Sequence, residues 1–530
     1  MFKALKAEIK NISRQKITSE IHRDKKFDDY RTRVEKRSGI PGTSKPKPTH
    51  NLDWFNPKYC ARNANCIAKW IWRDLQNGSY KPQTAKRFDI PKKGGGSREL
   101  TAFSIPDSAV AKLIYRSIVH RNLRVFSDSS FAYLPDRDIF DAIRSLGNID
   151  QRSKVFAIQI DFKKFFDLIP HEYLEQLISG SESSSPILRM TTMEQKVIRA
   201  FMVHESDKFI RTKKRSYVEP QGPRAIGTPQ GSSVSLVLAN LALHELDTEL
   251  NLLSGKFVRY ADDVVALTAT YEQALAVEHA FHWHAETNGL KINKEKSPGI
   301  AAFATKEQEI RTISEIDFLG YRFLFSGTTI SEEVERKLQR KIARLINLYL
   351  HNYIKRSFNY YRSSSGPVPF DWDLLGLVSE LRRSIYGGNS EKEIRDCLYR
   401  EASIKRMHGI MPHYALITDE TPFRRLDGWM VNSIRRAMVF RNRRIQGISG
   451  PSACQACPLP NNRQLIDGSW LDPDAWRKTH EDEPMPETKM PSFVRAWRAA
   501  NIHAKNHGIP RTDKGLNASS EDIADLFEYF

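Results

Sequence analysis

The sequence of 530 residues predicts an α+β fold divided into several subdomains. Residues 155–160 and 264–267 are apolar runs with the length and β-branched content of buried strands, and an aspartate adjoins each run. Stretches with helical spacing of apolar residues and many basic residues follow residue 331. The chain therefore combines a carboxylate-bearing sheet with a largely helical second half.

The composition is basic, with 82 Lys and Arg against 63 Asp and Glu, a net charge of +19 and a pI near 9.5. Such a charge favours binding to phosphate backbones. An acidic membrane surface is the alternative partner, but the sequence has neither a lipidation motif nor an apolar run of roughly 18 residues, so we expect no membrane partner. Five cysteines and an N-terminus without an apolar secretory core favour the cytoplasm.

Three aspartates carry the strongest chemical signal. Asp262 and Asp263 lie between apolar residues, which predicts a tight hairpin turn, and Asp161 ends the predicted strand 155–160. Carboxylates with apolar surroundings repel each other and are costly to desolvate, and a divalent cation removes that cost. Aspartates from two neighbouring strands can hold two Mg²⁺ ions about 3.5–4 Å apart for nucleotidyl transfer. A solvated Asp-Asp turn is the simpler alternative.

A Gly/Pro-rich loop, residues 227–231, leads into a small and apolar stretch that ends near residue 243. The pattern predicts a loop followed by a helix, with a backbone that a flat nucleotide can approach closely.

These blocks resemble the palm of reverse transcriptases, especially the bacterial branch related to group II intron enzymes. The sequence has D-x-K-x-F-F-D from Asp161, G-T-P-Q-G from Gly227 and Y-A-D-D from Tyr260, in the order of that family. Residues 90–99, 131–142, 288–296 and 316–321 resemble the blocks that flank them. The resemblance covers residues 85–330 firmly and extends loosely to about residue 440.

The resemblance implies a right-hand polymerase with fingers, a palm with an antiparallel sheet, a helical thumb, and N-terminal and C-terminal extensions. The expected ranges are a basic extension at 1–84, fingers at 85–154, a palm at 155–330 that includes part of the fingers at about 185–230, a thumb at 331–445, and an extension of unknown role at 446–530.

It also implies roles for individual residues. Asp161, Asp262 and Asp263 would be catalytic and metal-binding, while Lys92 and Arg98 would hold the triphosphate, with Lys93 as an alternative to Lys92. Phe166 falls at the steric gate that favours deoxynucleotides, unless both Phe165 and Phe166 belong to the core. Gln230 would contact the nucleotide, and Lys296 would lie near the leaving pyrophosphate, with Lys291 and Lys294 as alternatives. The primer grip would comprise Phe318, Leu319, Gly320 and Tyr321.

One departure from the family concerns residue 236, where leucine follows Ser235 in place of the usual proline. Contacts of this loop with a template are therefore left open.

We find no endonuclease, RNase H or integrase signature and no retron V-T-G element. The arrangement resembles the unclassified, defence-associated reverse transcriptases, which work with a small non-coding RNA. This resemblance implies an anti-phage enzyme whose partners are a non-coding RNA template, a DNA product and dNTPs; homo-oligomerisation stays open. The alternatives are a template-independent or RNA-synthesising polymerase of the same palm fold, and a non-catalytic RNA-binding scaffold.

Overall fold

A computed structural model describes residues 1–38, 52–91, 97–147, 155–180, 187–211, 216–304, 310–352, 370–404, 408–449, 459–481 and 483–509. The chain divides into two compact units: unit 1 comprises Met1–Arg23 and Lys47–Ser314, and unit 2 comprises Asp24–Pro46 and Glu315–Phe530. The strands between residues 315 and 330, which the sequence assigns to the palm, therefore group with the helices of unit 2.

The strands of the described residues are, in chain order, β1 (Ala85–Pro91), β2 (Ser97–Ala102), β3 (Val155–Asp161), β4 (Ser206–Arg211), β5 (Ser216–Gln221), β6 (Lys256–Tyr260), β7 (Asp263–Thr268), β8 (Gly299–Phe303), β9 (Thr312–Ile313), β10 (Glu315–Phe318), β11 (Tyr321–Leu324) and β12 (Gly327–Ile330). The α-helices are α1 (Phe2–Ser38), α2 (Pro57–Asn77), α3 (Ile105–Asn122), α4 (Ile139–Gly147), α5 (Phe165–Leu168), α6 (His171–Ser179), α7 (Thr192–Met202), α8 (Ser233–Ala242), α9 (His244–Leu253), α10 (Tyr271–Thr287), α11 (Glu332–Asn347), α12 (Trp372–Tyr386), α13 (Glu391–Arg400), α14 (Thr421–Ser449), α15 (Asn462–Asp467), α16 (Pro473–Thr479) and α17 (Phe493–His507).

The central sheet of unit 1 has the strand order β6-β7-β3-β8-β9. Its pairs are antiparallel except for the short parallel pair of β8 and β9. Val264 of β7 is fully buried and belongs to the same apolar core as Ile158 of β3 and Phe281 of α10. The predicted strand over 155–160 and the predicted hairpin around Asp262 are both present.

A second sheet of unit 1 has the order β2-β1-β4-β5. β1 and β2 form a hairpin, with Pro91 opposite Ser97, and the glycine-rich residues between them lie outside the described ranges. β4 lies parallel to β1. Two strands, β4 and β5, thus come from about residues 185–230, the part of the palm range that the sequence assigns to the fingers. They extend the sheet that residues 85–102 begin.

Helix α3 begins at a local capping residue. Ser104 accepts a hydrogen bond from the backbone N–H of Asp107, and the helix extends from Ile105 to Asn122. Glu8 of α1 forms ion pairs with Lys112 and Arg116 of α3. Near α2 most of the aromatic residues pack against the core, whereas Trp70 is 51 % exposed.

Unit 2 contains the sheet β10-β11-β12 and the helices from α11 onward. The helices predicted for 331–445 are found, and Ser331 caps α11. The described part of residues 446–530 holds α15, α16 and α17, of which α17 packs against α13 and α14. No helix in the described ranges is both long and apolar enough to span a bilayer.

Candidate active site

The turn between β6 and β7 presents the paired aspartates. Tyr260 and Asp263 are opposite each other in the hairpin, so the turn consists of Ala261 and Asp262, and Asp263 is already the first residue of β7. Ala261 has a left-handed backbone with φ of 62°. A non-glycine residue adopts this conformation only where its surroundings hold it.

Arg259 holds this turn from inside the protein. Its side chain is fully buried and forms a two-pronged ion pair with Asp247 of α9. The same guanidinium donates hydrogen bonds to Asn240 Oδ1 at 3.1 Å and to the carbonyl of Ala261 at 3.0 Å. Sequence reasoning missed this residue, although a charge inside an otherwise apolar strand signals a buried partner.

Asp161 comes to the same place from the neighbouring strand. It ends β3 directly opposite Asp263 in the antiparallel ladder, so the three aspartates lie at one end of the two central strands. The segment after α10 folds over Asp161: Asn293 donates its backbone N–H to the Asp161 carbonyl at 2.8 Å and its side chain to Oδ2 at 3.0 Å. Asn293 is a second residue that the sequence did not single out.

Lys296 is the lysine of this segment that reaches the aspartates. Its Nζ lies 3.3 Å from Asp161 Oδ2, and its side chain is 69 % exposed. For the alternatives Lys291 and Lys294, no ion pair with the three aspartates is found among the described contacts, and Lys291 contributes its backbone carbonyl to Lys163. The position of Lys296 agrees with the role predicted for it, which stays a prediction.

The electrostatics of the cluster follow from its burial. Desolvation, together with the negative charges of Asp161 and Asp262, raises the pKa of the Asp263 carboxyl to about 7, against the opposing effect of Lys296. Among the described residues, no three His, Cys, Asp or Glu side chains are arranged as a ready set for one metal ion. The donor chemistry nevertheless fits Mg²⁺, which prefers carboxylate oxygens. A cation would also offset the repulsion that raises the pKa of Asp263.

The predicted steric gate lies beside the G-T-P-Q loop. Phe166 is 9 % exposed and meets the ring of Tyr133 at 6.3 Å, while Phe165 is 3 % exposed and packs against Phe162. Both rings are therefore largely buried, and Phe165 is the more enclosed of the two. The assignment of Phe166 as the gate stays a prediction.

The loop packs directly onto the backbone that follows Phe166. Thr228 donates its backbone N–H to the Phe166 carbonyl, and a Cβ on Gly227 would lie 2.4 Å from the Asp167 carbonyl oxygen. Only glycine permits this approach. The side chain of Gln230 donates to Asp167 Oδ1 at 2.9 Å, so this amide is held within the protein here.

Ser235 offers a physical account of the departure at residue 236. Its hydroxyl is buried and donates to the Pro229 carbonyl at 2.7 Å, which ties the first turn of α8 back to the loop. The helix entrance is thus fixed by a side-chain hydrogen bond without the usual proline.

The remaining predicted residues are only partly visible. Lys92 and the alternative Lys93 lie outside the described residues, and only the backbone of Arg98 is described, in β2 opposite Ile90. In unit 2, Phe318 and Tyr321 are buried and are opposite each other in the β10–β11 hairpin. Leu319 and Gly320 form the turn and are partly exposed.

Comparison with known proteins agrees with this geometry. Residues 90–323 match the family described as "Reverse transcriptase (RNA-dependent DNA polymerase)". The group II intron-encoded protein LtrA of Lactococcus lactis subsp. cremoris is 25 % identical over 331 residues, which cover 60 % of this chain and 50 % of that protein. An uncharacterized 91 kDa protein in the cob intron of Schizosaccharomyces pombe is 28 % identical over 187 residues, which cover 35 % of this chain and 21 % of that protein.

The chain thus spans half or less of the length of these two curated relatives. Among solved structures, a telomerase from Candida albicans in complex with a fragment of telomeric RNA aligns with 73 % of this chain and 67 % of its own, at 12 % identity and a TM-score of 0.36, a weak likeness. The family match over the β3–β7 sheet is the stronger finding. Residues 90–323 therefore match the reverse transcriptase family, and the sheet that they form has the palm fold of that family.

Proposed function

We propose that this protein is an RNA-directed DNA polymerase that makes cDNA from an associated non-coding RNA by two-metal nucleotidyl transfer. The observation that carries the proposal is the register of the central sheet, in which Asp161 is opposite Asp263 and Asp262 occupies the adjoining turn. Carboxylates from two adjacent strands supply the oxygen donors that this chemistry needs.

Each residue has a specific task in this proposal. Asp161 and Asp262 hold two Mg²⁺ ions and Asp263 supports them. When bound, the ions lower the pKa of the primer 3′-hydroxyl and neutralise charge on the leaving pyrophosphate. Lys296, beside Asp161, gives a proton to the pyrophosphate as it leaves.

Other residues position the substrates. Lys92 and Arg98 bind the triphosphate of the incoming dNTP, as charge-assisted hydrogen bonds from cations to phosphate are strong. Phe166 excludes a 2′-hydroxyl, and Gln230 exchanges its bond with Asp167 for a contact with the nucleotide. The turn formed by Leu319 and Gly320 supports the primer end.

The basic charge of the chain supports an RNA template and a DNA product as its macromolecular partners. The resemblance to defence-associated enzymes supports a role in anti-phage defence and a dedicated non-coding RNA. The enzyme would act in the cytoplasm. Co-purified nucleic acid, sequenced before and after dNTPs are added, would identify the template and the product.

Extension of a labelled primer on an RNA template, with dNTPs and Mg²⁺, tests the polymerase activity. We expect Asp161→Asn and Asp262→Asn to abolish extension, because each removes a charged oxygen donor with little change in volume. The matched control is Asp474→Asn, which changes an aspartate whose side chain is 80 % exposed in unit 2.

Two other functions predict different outcomes. An RNA-synthesising enzyme would extend the primer faster with ribonucleotides than with dNTPs. A non-catalytic scaffold would retain its activity in cells after Asp161→Asn, and that result would overturn the proposal.

A further inference from the structure

The turn of the predicted primer grip is supported from behind by a short segment of unit 2. Leu319 and Gly320 both have left-handed backbones, with φ of 52° and 83°, as the tightest hairpin turns require. Tyr321 is fully buried, so it cannot face a primer and serves instead as an anchor.

We call residues 411–419 the connector. His413 Nε2 donates to the Leu319 carbonyl at 3.3 Å, and the Tyr321 hydroxyl donates to the His413 carbonyl at 2.5 Å. The backbone N–H of Leu416 donates to the same hydroxyl at 3.4 Å. The turn and Tyr321 are therefore fixed by the connector. The C-terminal end of the connector is held by β12, where the Thr328 carbonyl accepts hydrogen bonds from the backbone N–H groups of Thr418 and Asp419 at 3.1 and 3.2 Å.

The C-terminal helix α17 binds the opposite side of the connector. Asn501 Nδ2 donates to the Ala415 carbonyl at 2.9 Å, and Trp497 Nε1 donates to the Ile417 carbonyl at 3.2 Å. The Trp497 ring also stacks on Phe423 at a centroid distance of 5.5 Å.

These bonds matter because the connector leaves regular structure after the short 3-10 helix Met411–Tyr414, and the residues that follow directly are largely enclosed. Ala415 is 1 % exposed and Ile417 is fully buried, and buried carbonyls without donors are costly. Helix α17 donates hydrogen bonds to the carbonyls of Ala415 and Ile417, the two neighbours of Leu416. The N–H of Leu416 itself donates to the Tyr321 hydroxyl. The position of α17 is set independently, since the Asp427 carboxylate accepts hydrogen bonds from the backbone N–H groups of Phe493 and Val494 at its N-terminus.

We propose that α17 holds the primer-grip turn in place through the connector, so that Asn501 and Trp497 are positioning residues for the primer end. This inference rests on the proposed polymerase function and assigns a task to residues 493–507, in the stretch for which the sequence indicated none. Neither residue touches the substrates; each acts through the backbone that anchors His413 and Tyr321.

The test compares two asparagines of the same helix in the full chain. Asn501→Ala removes the bond to the connector, whereas the control Asn506→Ala removes an exposed bond to Glu401 Oε2. We expect Asn501→Ala to raise the KM for primer–template about fivefold, the worth of one partly buried hydrogen bond, and to leave the KM for dNTPs unchanged. Asn506→Ala should change neither constant. A general loss of folding would instead lower the amount of active enzyme without separating the two KM values.

A second variant tests the inference independently of Asn501→Ala, and a second measurement tests it independently of catalysis. Trp497→Phe removes the N–H donor and retains an aromatic ring against Phe423, so it decides the matter if Asn501→Ala does not fold. Hydrogen exchange of the backbone N–H groups of residues 318–324 should accelerate in Asn501→Ala and Trp497→Phe but not in Asn506→Ala. This readout needs no catalysis, so it separates failure of this inference from failure of the polymerase proposal. Unchanged exchange in both variants, or an equal effect in Asn506→Ala, would overturn the inference.

Discussion

Variants of the buried ion pair between Arg259 and Asp247 can distinguish two effects of this pair, one on the stability of the palm and one on the position of the catalytic aspartates. Both side chains are at most 1 % exposed, so neither charge has access to solvent. In the Asp247→Asn variant the guanidinium of Arg259 stays buried and charged without a counter-charge. Removing one partner of such a pair costs about 3–5 kcal/mol, and we expect the free energy of unfolding to fall by that amount.

The double variant Arg259→Met with Asp247→Leu removes both charges and fills their space with apolar atoms. Such replacements are often neutral or stabilising, so its free energy of unfolding should lie within about 1–2 kcal/mol of the wild type. It nevertheless lacks the donor to the Ala261 carbonyl, which lies next to Asp262. We therefore expect a stable protein whose primer extension falls at least about tenfold, because small misplacements of catalytic groups are costly.

Denaturant unfolding followed by circular dichroism measures stability, and primer extension measures activity. The control is Glu332→Gln, which breaks the exposed pair with Arg336 and should change stability by less than about 1 kcal/mol. A double variant that extends primers at the wild-type rate would refute the positioning role of Arg259. An Asp247→Asn protein as stable as the wild type would refute the estimate of the ion-pair energy.

Three further predictions concern single positions. Phe166→Val should raise incorporation of ribonucleotides relative to dNTPs by about tenfold or more in single-nucleotide extension assays, whereas Phe165→Val should only lower thermal stability; equal selectivity in both variants would remove the gate assignment. Burial lowers the pKa of His204 from 6.5 to about 4, so the unfolded chain takes up a proton first as the pH falls. The free energy of unfolding should therefore fall by about 3 kcal/mol between pH 6.5 and 4. In His204→Gln, denaturant unfolding measured at several pH values should show a smaller fall over this range. A Cβ on Gly231, where φ is 121°, would lie 2.3 Å from the Thr101 carbonyl oxygen, so Gly231→Ala should lower the melting temperature by several degrees. The control Gly428→Ala, in a helix with open space around it, should not lower it.

The sequence was most informative where burial and charge conflict. Strand β7 is apolar on both faces and begins with an aspartate, and the strand that ends at Asp161 has the same character. Carboxylates at the ends of buried strands are costly unless they share a cation, and this cost, together with the resemblance of the surrounding blocks to reverse transcriptases, predicted that the aspartates lie close together. The start of α3 also has a local cause, because Ser104 caps the helix and requires no distant partner.

Features that depend on distant packing could not be predicted. Arg259 stands in a strand, but its partners Asp247 and Asn240 lie on α9 and α8, so their meeting depends on how the helices pack against the sheet. The parallel pairing of β1 with β4 joins residues 85–88 to residues 206–209, which are distant in the sequence. The contacts of α17 are equally non-local, since Asn501 meets a backbone carbonyl, which carries no sequence signal.

The two turns to which the proposed chemistry assigns a function share one physical design. Ala261 and Leu319 are both non-glycine residues with left-handed backbones, and each is the neighbour of a residue with a proposed task, Asp262 in one case and Gly320 in the other. In both, a largely buried side chain donates a hydrogen bond from a nitrogen to the carbonyl of the strained residue: Arg259 to Ala261, and His413 to Leu319. A strained residue persists only where its surroundings over-determine its conformation, so these bonds offset a local cost of about 1–3 kcal/mol. This support from the interior has a functional consequence. It holds each turn in a single conformation and leaves the exposed side of the turn free to contact a substrate.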